Sequence, residues 1–267
     1  MSVIDDVFVT ARAARRAAFI PFLMAGDPDL ATSGRLLQVL ADAGADLIEV
    51  GVPFSDPIAD GPANQAAATR ARAAGTTLSG VLRMVSKHRD GLGVPLVLFT
   101  YYNPIHARGA ETFAEQAACS GVDGVLCVDL PPDEKSEGLR EALASHGVDT
   151  IQLLAPTSTK DRVKTVAAAA SGFVYYVSRT GVTGSTEPLP KPLAREVKRL
   201  RHRLDLPLAV GFGISTPEQV AAVAKVADGV VVGSALVRLV AENAGNPSAL
   251  PEKLEARVRA LVAAATR

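Results

Sequence analysis

Cysteine is scarce in this sequence, which contains only Cys119 and Cys127 and no CxxC pair. Neither a disulfide framework nor a zinc knuckle is encoded, so the cytoplasm is the expected compartment. The sequence also lacks a run of about 18 uncharged apolar residues, the length that a membrane-spanning helix requires. Its N-terminus does not show the basic-then-apolar order of a signal peptide. We therefore expect a cytoplasmic protein without a membrane segment.

An excess of charge of one sign is also missing, because 28 Lys and Arg residues balance 28 Asp and Glu residues. No field of one sign is available to attract nucleic acid or an anionic membrane, so the ligand must be recognised locally. The 267 residues, 48% of them hydrophobic, suffice for one large core. Length alone allows one barrel or two smaller domains, and we favour a single domain over residues 1–267.

Short apolar runs alternate with longer amphipathic, alanine-rich segments, an order that predicts βα units. An open doubly wound sheet is the alternative, but it would normally show GxGxxG after the first strand, where this chain has PFLMAGDPDL. Eight continuously apolar strands instead predict a (β/α)8 TIM barrel, which we expect to carry an extra N-terminal helix. The predicted strands begin at Phe19, Leu47, Pro95, Gly124, Thr150, Phe173, Pro207 and Gly229.

Helix signals fall between these strands. The segment ATSGRLLQVLADAG ends on Gly44, a residue type typical of helix C-termini. The segment STPEQVAAVAKVA starts with two possible caps and a proline, and it places Glu218 three residues after Ser215. This spacing predicts a capping box formed by Ser215 and Glu218.

An acidic residue lies inside the second predicted strand, LIEVGV. Because side chains alternate along a strand, Glu49 shares the inward face with Leu47, while Ile48 and Val50 face the helices. No predicted strand contains Lys or Arg, so burial should raise the pKa of Glu49 and suit it to giving and taking a proton near neutral pH. A structural glutamate paired with a base remains the alternative, and Arg179 is the base that could pair with it.

Several kinds of catalytic group are missing. Schiff-base chemistry needs a lysine inside the barrel, and the predicted strands have none. Metal-assisted chemistry needs clustered ligands, so we expect no metal site. The four histidines are scattered over predicted helices and loops: His88, His106, His146 and His202. Acid–base catalysis by carboxylates is therefore the chemistry that remains.

Glycine-rich segments follow the last three predicted strands. They are SRTGVTG, GFGIS and GSALV, and the last two each lead into a predicted helix. Any one of them alone is most often just a turn. Together, at adjacent strand ends, they predict a site where backbone N–H groups bind a phosphate, with little help from Lys or Arg.

The sequence resembles the tryptophan synthase alpha subunit family over essentially its whole length. The motifs that carry the resemblance are PFLMAGDP, LIEVGVPFSDPIADGP, TYYNP, VDLP, SRTGVTG, VGFGIS and GSALV, in the family's order and spacing. The resemblance implies a barrel enzyme that cleaves indole-3-glycerol phosphate to indole and glyceraldehyde 3-phosphate, in the last steps of L-tryptophan biosynthesis. It also implies a reaction without cofactor or metal and an α2β2 complex with a pyridoxal-phosphate beta subunit.

The resemblance also implies roles for individual residues. Glu49 matches the general acid–base, Asp60 the carboxylate that holds the indole N–H, and Tyr175 the tyrosine beneath Glu49. The residues that match the phosphate site are Gly184, Gly213, Gly233 and Ser234, and those that match the substrate pocket and its loop are Phe22, Tyr101, Thr183 and Phe212.

Two residues depart from the family pattern. Asn64 stands where relatives usually have an aliphatic residue lining the indole pocket, and Met24 where many have Thr. An amide left unsatisfied against the indole would cost about 1 to 3 kcal/mol. We therefore predict that the Asn64 side chain turns to the loop backbone and forms a hydrogen bond there.

The loops SDPIADGP and YYNPIHARGA suggest a surface for the beta subunit. The apolar patch predicted there consists of Pro57, Tyr102, Pro104 and Ile105. Asp56 fits either an Asx-type turn before Pro57 or a contact with the partner. Three other functions remain open: a different phosphate-binding barrel enzyme, a free-standing indole-releasing lyase, and a non-catalytic regulatory subunit.

Overall fold

The computed structural model describes residues 1–133, 138–177, 192–211, 213–246 and 248–266. Each strand pairs in parallel with the next, and β8 pairs with β1, so the sheet closes into the predicted barrel. Six of the eight strands are shorter than the predicted apolar runs, and β1 and β5 are as long as theirs. They are β1 (Ala18–Met24), β2 (Ile48–Gly51), β3 (Leu96–Thr100), β4 (Gly124–Cys127), β5 (Asp149–Leu154), β6 (Val174–Val177), β7 (Leu208–Gly211) and β8 (Gly229–Val232).

Helices surround the barrel, as expected when both faces of parallel strands are apolar. One helix, α1 (Val3–Ala13), precedes the first strand. The others follow the strands in order: α2 (Leu30–Asp42), α3 (Pro62–Ala73), α4 (Leu78–Leu92), α5 (Tyr102–His106), α6 (Ala110–Cys119), α7 (Leu139–Ser145), α8 (Lys160–Ala169), α9 (Leu193–Arg201), α10 (Pro217–Ala224), α11 (Ser234–Asn243) and α12 (Leu250–Ala263). Within the described ranges, no helix has the length and apolar character needed to cross a membrane.

The alternation of side chains divides the hydrophobic residues into two main layers. Ile48 and Val50 belong to the layer between strands and helices, as predicted, and Leu47 belongs to the layer inside the barrel. The N-terminal helix contributes Ile4 and Phe8 to the inner layer. Its apolar face therefore closes the N-terminal end of the barrel, which leaves the carboxyl ends of the strands for chemistry.

The capping box of α10 differs from the prediction. The N-cap is Thr216, whose hydroxyl accepts a hydrogen bond from the Gln219 N–H at 3.3 Å, while Gln219 Oε1 accepts one from the Thr216 N–H at 3.1 Å. The predicted pair of Ser215 and Glu218 is wrong by one residue. Pro217 occupies the first helical position, where its missing N–H is tolerated, so the residue immediately before it becomes the cap.

Candidate functional site

A cleft lies at the carboxyl ends of the strands, with a volume of about 520 Å³ that includes its mouth to solvent. The cleft is lined by residues that are far apart in the sequence but lie at or just beyond the ends of β1, β2, β6, β7 and β8. Seven of the predicted site residues line it: Phe22, Glu49, Asp60, Tyr175, Gly213, Gly233 and Ser234.

Glu49 lies at the base of this cleft, on β2. Its Cα pairs with those of Phe22 and Val97 on the two neighbouring strands, and the residue is only 1% exposed. Its Oε1 atom has no hydrogen-bond partner in the described part of the chain. Burial alone raises the pKa of Glu49 to about 8, so the carboxyl group carries a proton at pH 7. Arg179, the base that could pair with it, lies outside the described residues.

Tyr175 on β6 lies close enough to Glu49 for the two groups to interact electrostatically. Burial, and then the charge of Glu49, raise the pKa of the Tyr175 hydroxyl well above its usual value. The neighbouring strand makes room for this ring, because a Cβ on Gly211 would lie 2.0 Å from Tyr175 Oη. A larger residue at position 211 would therefore displace Tyr175 from its place in the cleft.

Phe22 on β1 forms an aromatic wall of the cleft together with Phe99. The two ring centroids are 5.5 Å apart in an edge-to-face arrangement. Gly51 accommodates Phe22, since a Cβ there would lie 2.5 Å from Phe22 Cζ. Met24 is 5% exposed and packs in the same small cluster as Phe22, on the side of α3 and α11.

Asp60 lies on the loop between β2 and α3 and is 6% exposed. Tyr101 Oη donates a hydrogen bond to its Oδ2 atom at 2.9 Å and accepts one from the Ala59 N–H at 3.2 Å. Burial raises the pKa of Asp60, while the hydrogen bonds from Tyr101 and Asn64 act in the opposite direction. Tyr101, predicted as a pocket residue, thus contacts Asp60 and the loop and is not among the residues that line the cleft.

The loop backbone, predicted as the hydrogen-bond partner of Asn64, is wrong. Asn64 Nδ2 donates to the Asp60 Oδ1 atom at 3.2 Å and not to the loop backbone. The next residue makes the backbone contact, since Gln65 Nε2 donates to the Asp60 carbonyl at 2.8 Å. Asn64 faces inward on α3, whereas Gln65 is exposed. Because neighbouring helix positions point in different directions, Asn64 reaches the carboxylate of Asp60 and Gln65 reaches its backbone carbonyl.

The part of the cleft lined by residues that follow β7 and β8 has the features of an anion site. Gly213 has φ of +79°, a conformation that favours glycine. No side chain of the described residues caps α11, whose N-cap is Gly233, whereas α10 is capped by its own Thr216 and Gln219. The open helix N-terminus at Ser234 is therefore the one suited to bind a phosphate.

Arg238 also lines the cleft, although none of the sequence motifs predicts it as a site residue. It lies four residues after Ser234 on α11, and residues four apart share one face of a helix. No hydrogen bond or ion pair joins Arg238 to another described residue. The i, i+4 spacing from the predicted phosphate residue is the signal that could have found it.

Some predicted residues and surfaces need separate mention. Thr183, Gly184 and Phe212 lie outside the described residues. Ile105, predicted to be part of an exposed apolar patch, is instead fully buried in the core, because α5 turns it inward. Ile58 is the large apolar side chain that is exposed in this region, at 76%. The described ranges contain no group of three His, Cys, Asp or Glu placed to hold a metal ion.

Comparisons with known proteins agree on one family. The sequence profile described as tryptophan synthase alpha chain matches residues 8–266. The tryptophan synthase alpha chain of Citrifermentans bemidjiense is 54% identical over 238 residues, 89% of each chain, and that of Opitutus terrae is 48% identical over 267 residues, 100% of each chain. A solved structure of Mycobacterium tuberculosis tryptophan synthase has a TM-score of 0.91 and 36% identity, covering 100% of this chain and 99% of the other.

Proposed function

The chain belongs to the tryptophan synthase alpha chain family, and from this premise we propose that Glu49 and Asp60 carry out the family's reaction. That reaction cleaves indole-3-glycerol phosphate to indole and glyceraldehyde 3-phosphate in tryptophan biosynthesis, so the chain is a carbon–carbon lyase. It pairs with the tryptophan synthase beta subunit. The observation that carries the residue assignment is that Glu49, buried and without a hydrogen-bond partner for its Oε1 atom among the described residues, shares one cleft with a second carboxyl group, that of Asp60.

Glu49 acts first as an acid and then as a base. With a pKa of about 8 it holds a proton at pH 7, which it gives to carbon 3 of the indole ring. The resulting carboxylate removes the proton from the hydroxyl on the glycerol carbon attached to the ring. As that hydroxyl becomes an aldehyde, the C–C bond breaks and its electrons return to the ring. Glu49 ends the cycle protonated, as it began.

Asp60 stabilises the charge that appears between these two proton transfers. Protonation of carbon 3 places positive charge on the ring nitrogen, and a carboxylate that accepts the N–H bond becomes a stronger partner as this charge grows. Asp60 is fixed by Tyr101 and Asn64 before the substrate arrives, so little reorganisation is needed. Tyr175 and Phe22 contribute walls of the cleft on either side of Glu49.

The phosphate of the substrate binds where the cleft is lined by residues that follow β7 and β8. The backbone at Gly213 and Gly233 and the N-terminus of α11 at Ser234 support this placement, as does the positive side chain of Arg238. Gly184, Thr183 and Phe212 complete the assignment by resemblance alone. With the phosphate bound there, the indole ring of the substrate lies beside Glu49 and Asp60 in the same cleft.

We also assign the cytoplasm as the place of action, and residues 1–267 as one barrel domain. The two cysteines, Cys119 and Cys127, are unpaired, which fits a reducing compartment. The apolar layer inside the barrel includes residues of α1 as well as of the strands, which supports a single folding unit.

The test is release of indole and glyceraldehyde 3-phosphate from indole-3-glycerol phosphate by the purified chain. We expect the two products in equal amounts, with a higher rate when a beta subunit is added. No indole under either condition would overturn the proposal and favour a different phosphate-binding barrel enzyme. A substrate survey with other phosphorylated sugars would then identify the alternative.

A further inference from the structure

Asn64 occupies a position in the cleft that the mechanism above leaves unexplained. It lies on α3, four residues beyond Asp60, and is 7% exposed. It lines the same cleft as Glu49 and Asp60. Buried polar side chains normally satisfy their hydrogen-bonding groups, so an exception requires a physical explanation.

The two ends of the Asn64 amide differ in their surroundings. Its Nδ2 atom donates to Asp60 Oδ1 at 3.2 Å. Its Oδ1 atom is buried and has no partner among the residues that the structure describes. An unpaired buried carbonyl lowers the stability of the fold, a cost that an apolar residue of similar size would not carry.

The charge of Asp60 explains why the amide is oriented this way. An ionised carboxylate only accepts hydrogen bonds, so it requires the NH2 group of Asn64 to face it. Rotating the amide by half a turn would place its carbonyl against a carboxylate oxygen, which is unfavourable unless Asp60 carries a proton. The observed orientation therefore fits the charged form of Asp60.

We propose that Asn64 is a positioning residue, which together with Tyr101 holds the Asp60 carboxylate in the orientation and charge state that the ring nitrogen of the substrate requires. This inference rests on the proposed function. Asn64 donates to Oδ1 and Tyr101 donates to Oδ2, so each oxygen of Asp60 has one fixed donor. Two donors prevent rotation of the carboxylate and leave each oxygen a lone pair for the ligand.

The surrounding groups make this support useful. Burial raises the pKa of Asp60, and the hydrogen bonds of Tyr101 and Asn64 lower it. The other titratable or charged groups of the described residues that line the cleft are Glu49 on β2, Tyr175 on β6 and Arg238 on α11. Glu49 is protonated at neutral pH and so adds no negative charge against Asp60, while Asn64 and Tyr101 both favour the charged form of Asp60.

The variant Asn64→Leu removes the donor and the unpaired carbonyl together. We expect the acid limb of the kcat/KM profile to move to higher pH, because the charged form of Asp60 loses a donor. At pH 7 we expect kcat/KM to fall about tenfold, the effect of losing one hydrogen bond to a charged group.

Gln65→Met is the matched control. It removes an amide donor from the adjacent position of α3, but that donor binds the backbone carbonyl of Asp60 and not the carboxylate. The acid limb should stay in place. A shift of the acid limb in this control equal to that in Asn64→Leu would overturn the proposal, since any change in the loop would then have the same effect.

A second measurement needs no turnover. The Asp60 carboxyl group is titrated by carbon-13 NMR in the ligand-free protein, with Asp60→Asn used to assign its signal. We expect a higher titration midpoint in Asn64→Leu than in the native chain. An unchanged midpoint, whatever the Tm of the variant, would show a merely structural role and overturn the proposal. A native chain that releases no indole would contradict the proposed function but leave this titration fully interpretable.

Discussion

At the scale of single residues, the proposed chemistry depends on keeping Glu49 neutral until the substrate arrives. The side chain is buried at the base of the cleft, and its raised pKa is explained by burial alone. A charged partner beside it would hold the carboxyl ionised and remove the proton that the first step consumes. The eight strands contain no Lys or Arg, which fits this proposed role of Glu49.

The first prediction concerns turnover by Glu49→Gln. The amide has nearly the same shape but neither gives nor takes a proton at neutral pH, so both proton transfers are lost. We expect kcat to fall on the order of 10³-fold or more, with KM little changed. Steady-state kinetics with indole-3-glycerol phosphate measures both constants. A variant that keeps a tenth of the native kcat would exclude Glu49 as the acid–base.

The same substitution makes a prediction about stability. The pKa of Glu49 in the folded chain, about 8, lies above its ordinary value of 4.5. Below about pH 4.5 both states are protonated; as the pH rises to about 8 the unfolded state loses the proton first, so native stability falls. Gln does not titrate, so the Tm of Glu49→Gln relative to the native chain should rise across this window and level off above it.

Thermal unfolding between pH 4 and pH 9 tests this prediction, provided that the range is limited to conditions where unfolding is reversible. Glu115→Gln, on the exposed face of α6, is the control for the loss of one carboxyl group. A difference in Tm between Glu49→Gln and the native chain that stays constant with pH would mean that Glu49 is ionised in the folded chain.

How far the sequence predicts single residues depends on the range of the contact. The inward orientation of Glu49 follows from alternation along one strand, a local property. The hydrogen bond between Asn64 and Asp60 does not follow in this way, because Tyr101, 41 positions after Asp60, fixes which oxygen remains for Asn64. Such a choice becomes visible only when distant segments are placed together.

At the scale of secondary-structure elements, the contrast between α10 and α11 supports the proposed phosphate site at α11. Just before α10, the N–H groups of Ser215 and Thr216 donate to Gln219 Oε1, and the Gln219 N–H donates to Thr216 Oγ1, so this helix end has less capacity to bind an anion. The glycine before α11 provides no side chain to do the same. The sequence predicts both helices and the glycine-rich segments that precede them. It does not decide whether Ser215 or Thr216 caps α10, because both residue types are common N-caps.

The third prediction tests the open end of α11 with Ser234→Asp. An aspartate at this first helical position places a carboxylate where the substrate phosphate binds, and the two anions repel each other. We expect KM to increase at least tenfold, about 1.4 kcal/mol or more, while kcat at saturation changes little. Inorganic phosphate should also lose its ability to inhibit the variant.

Ser86→Asp is the control for this charge change, because it lies on the exposed face of α4 and does not line the cleft. Its KM should equal that of the native chain. An unchanged KM in Ser234→Asp would place the phosphate away from α11 and leave Arg238 without an assigned ligand.

At the scale of the whole molecule, the barrel has one closed end and one open end. Residues of α1 fill the N-terminal end, and the loops at the other end carry Asp60 and an exposed apolar residue, Ile58. The number of strands and the closure follow from the eight apolar runs. The exposed surface cannot be predicted in the same way. Ile105 and Ile58 both lie in predicted loops, yet Ile105 is buried and Ile58 is exposed.

The last prediction concerns the beta subunit and Ile58. Ile58 is 76% exposed and lies two residues before Asp60 on the same loop. A partner that covers it would hold the loop and Asp60 in their productive arrangement. An increase in kcat of ten- to a hundredfold needs only about 1.4 to 2.8 kcal/mol of additional contact in that arrangement. We expect Ile58→Glu to keep the rate of the isolated chain but to require at least tenfold more beta subunit for stimulation.

Val9→Glu is the matched control, because Val9 is also an exposed apolar residue, at 54%, but lies on α1 at the closed end of the barrel. Its response to added beta subunit should equal that of the native chain. If Ile58→Glu is stimulated at the same concentration as Val9→Glu, the partner does not hold the Asp60 loop through Ile58. If the native chain alone is already as fast as the mixture, the chain works as a free-standing lyase, and its loop reaches the productive arrangement without help from a partner.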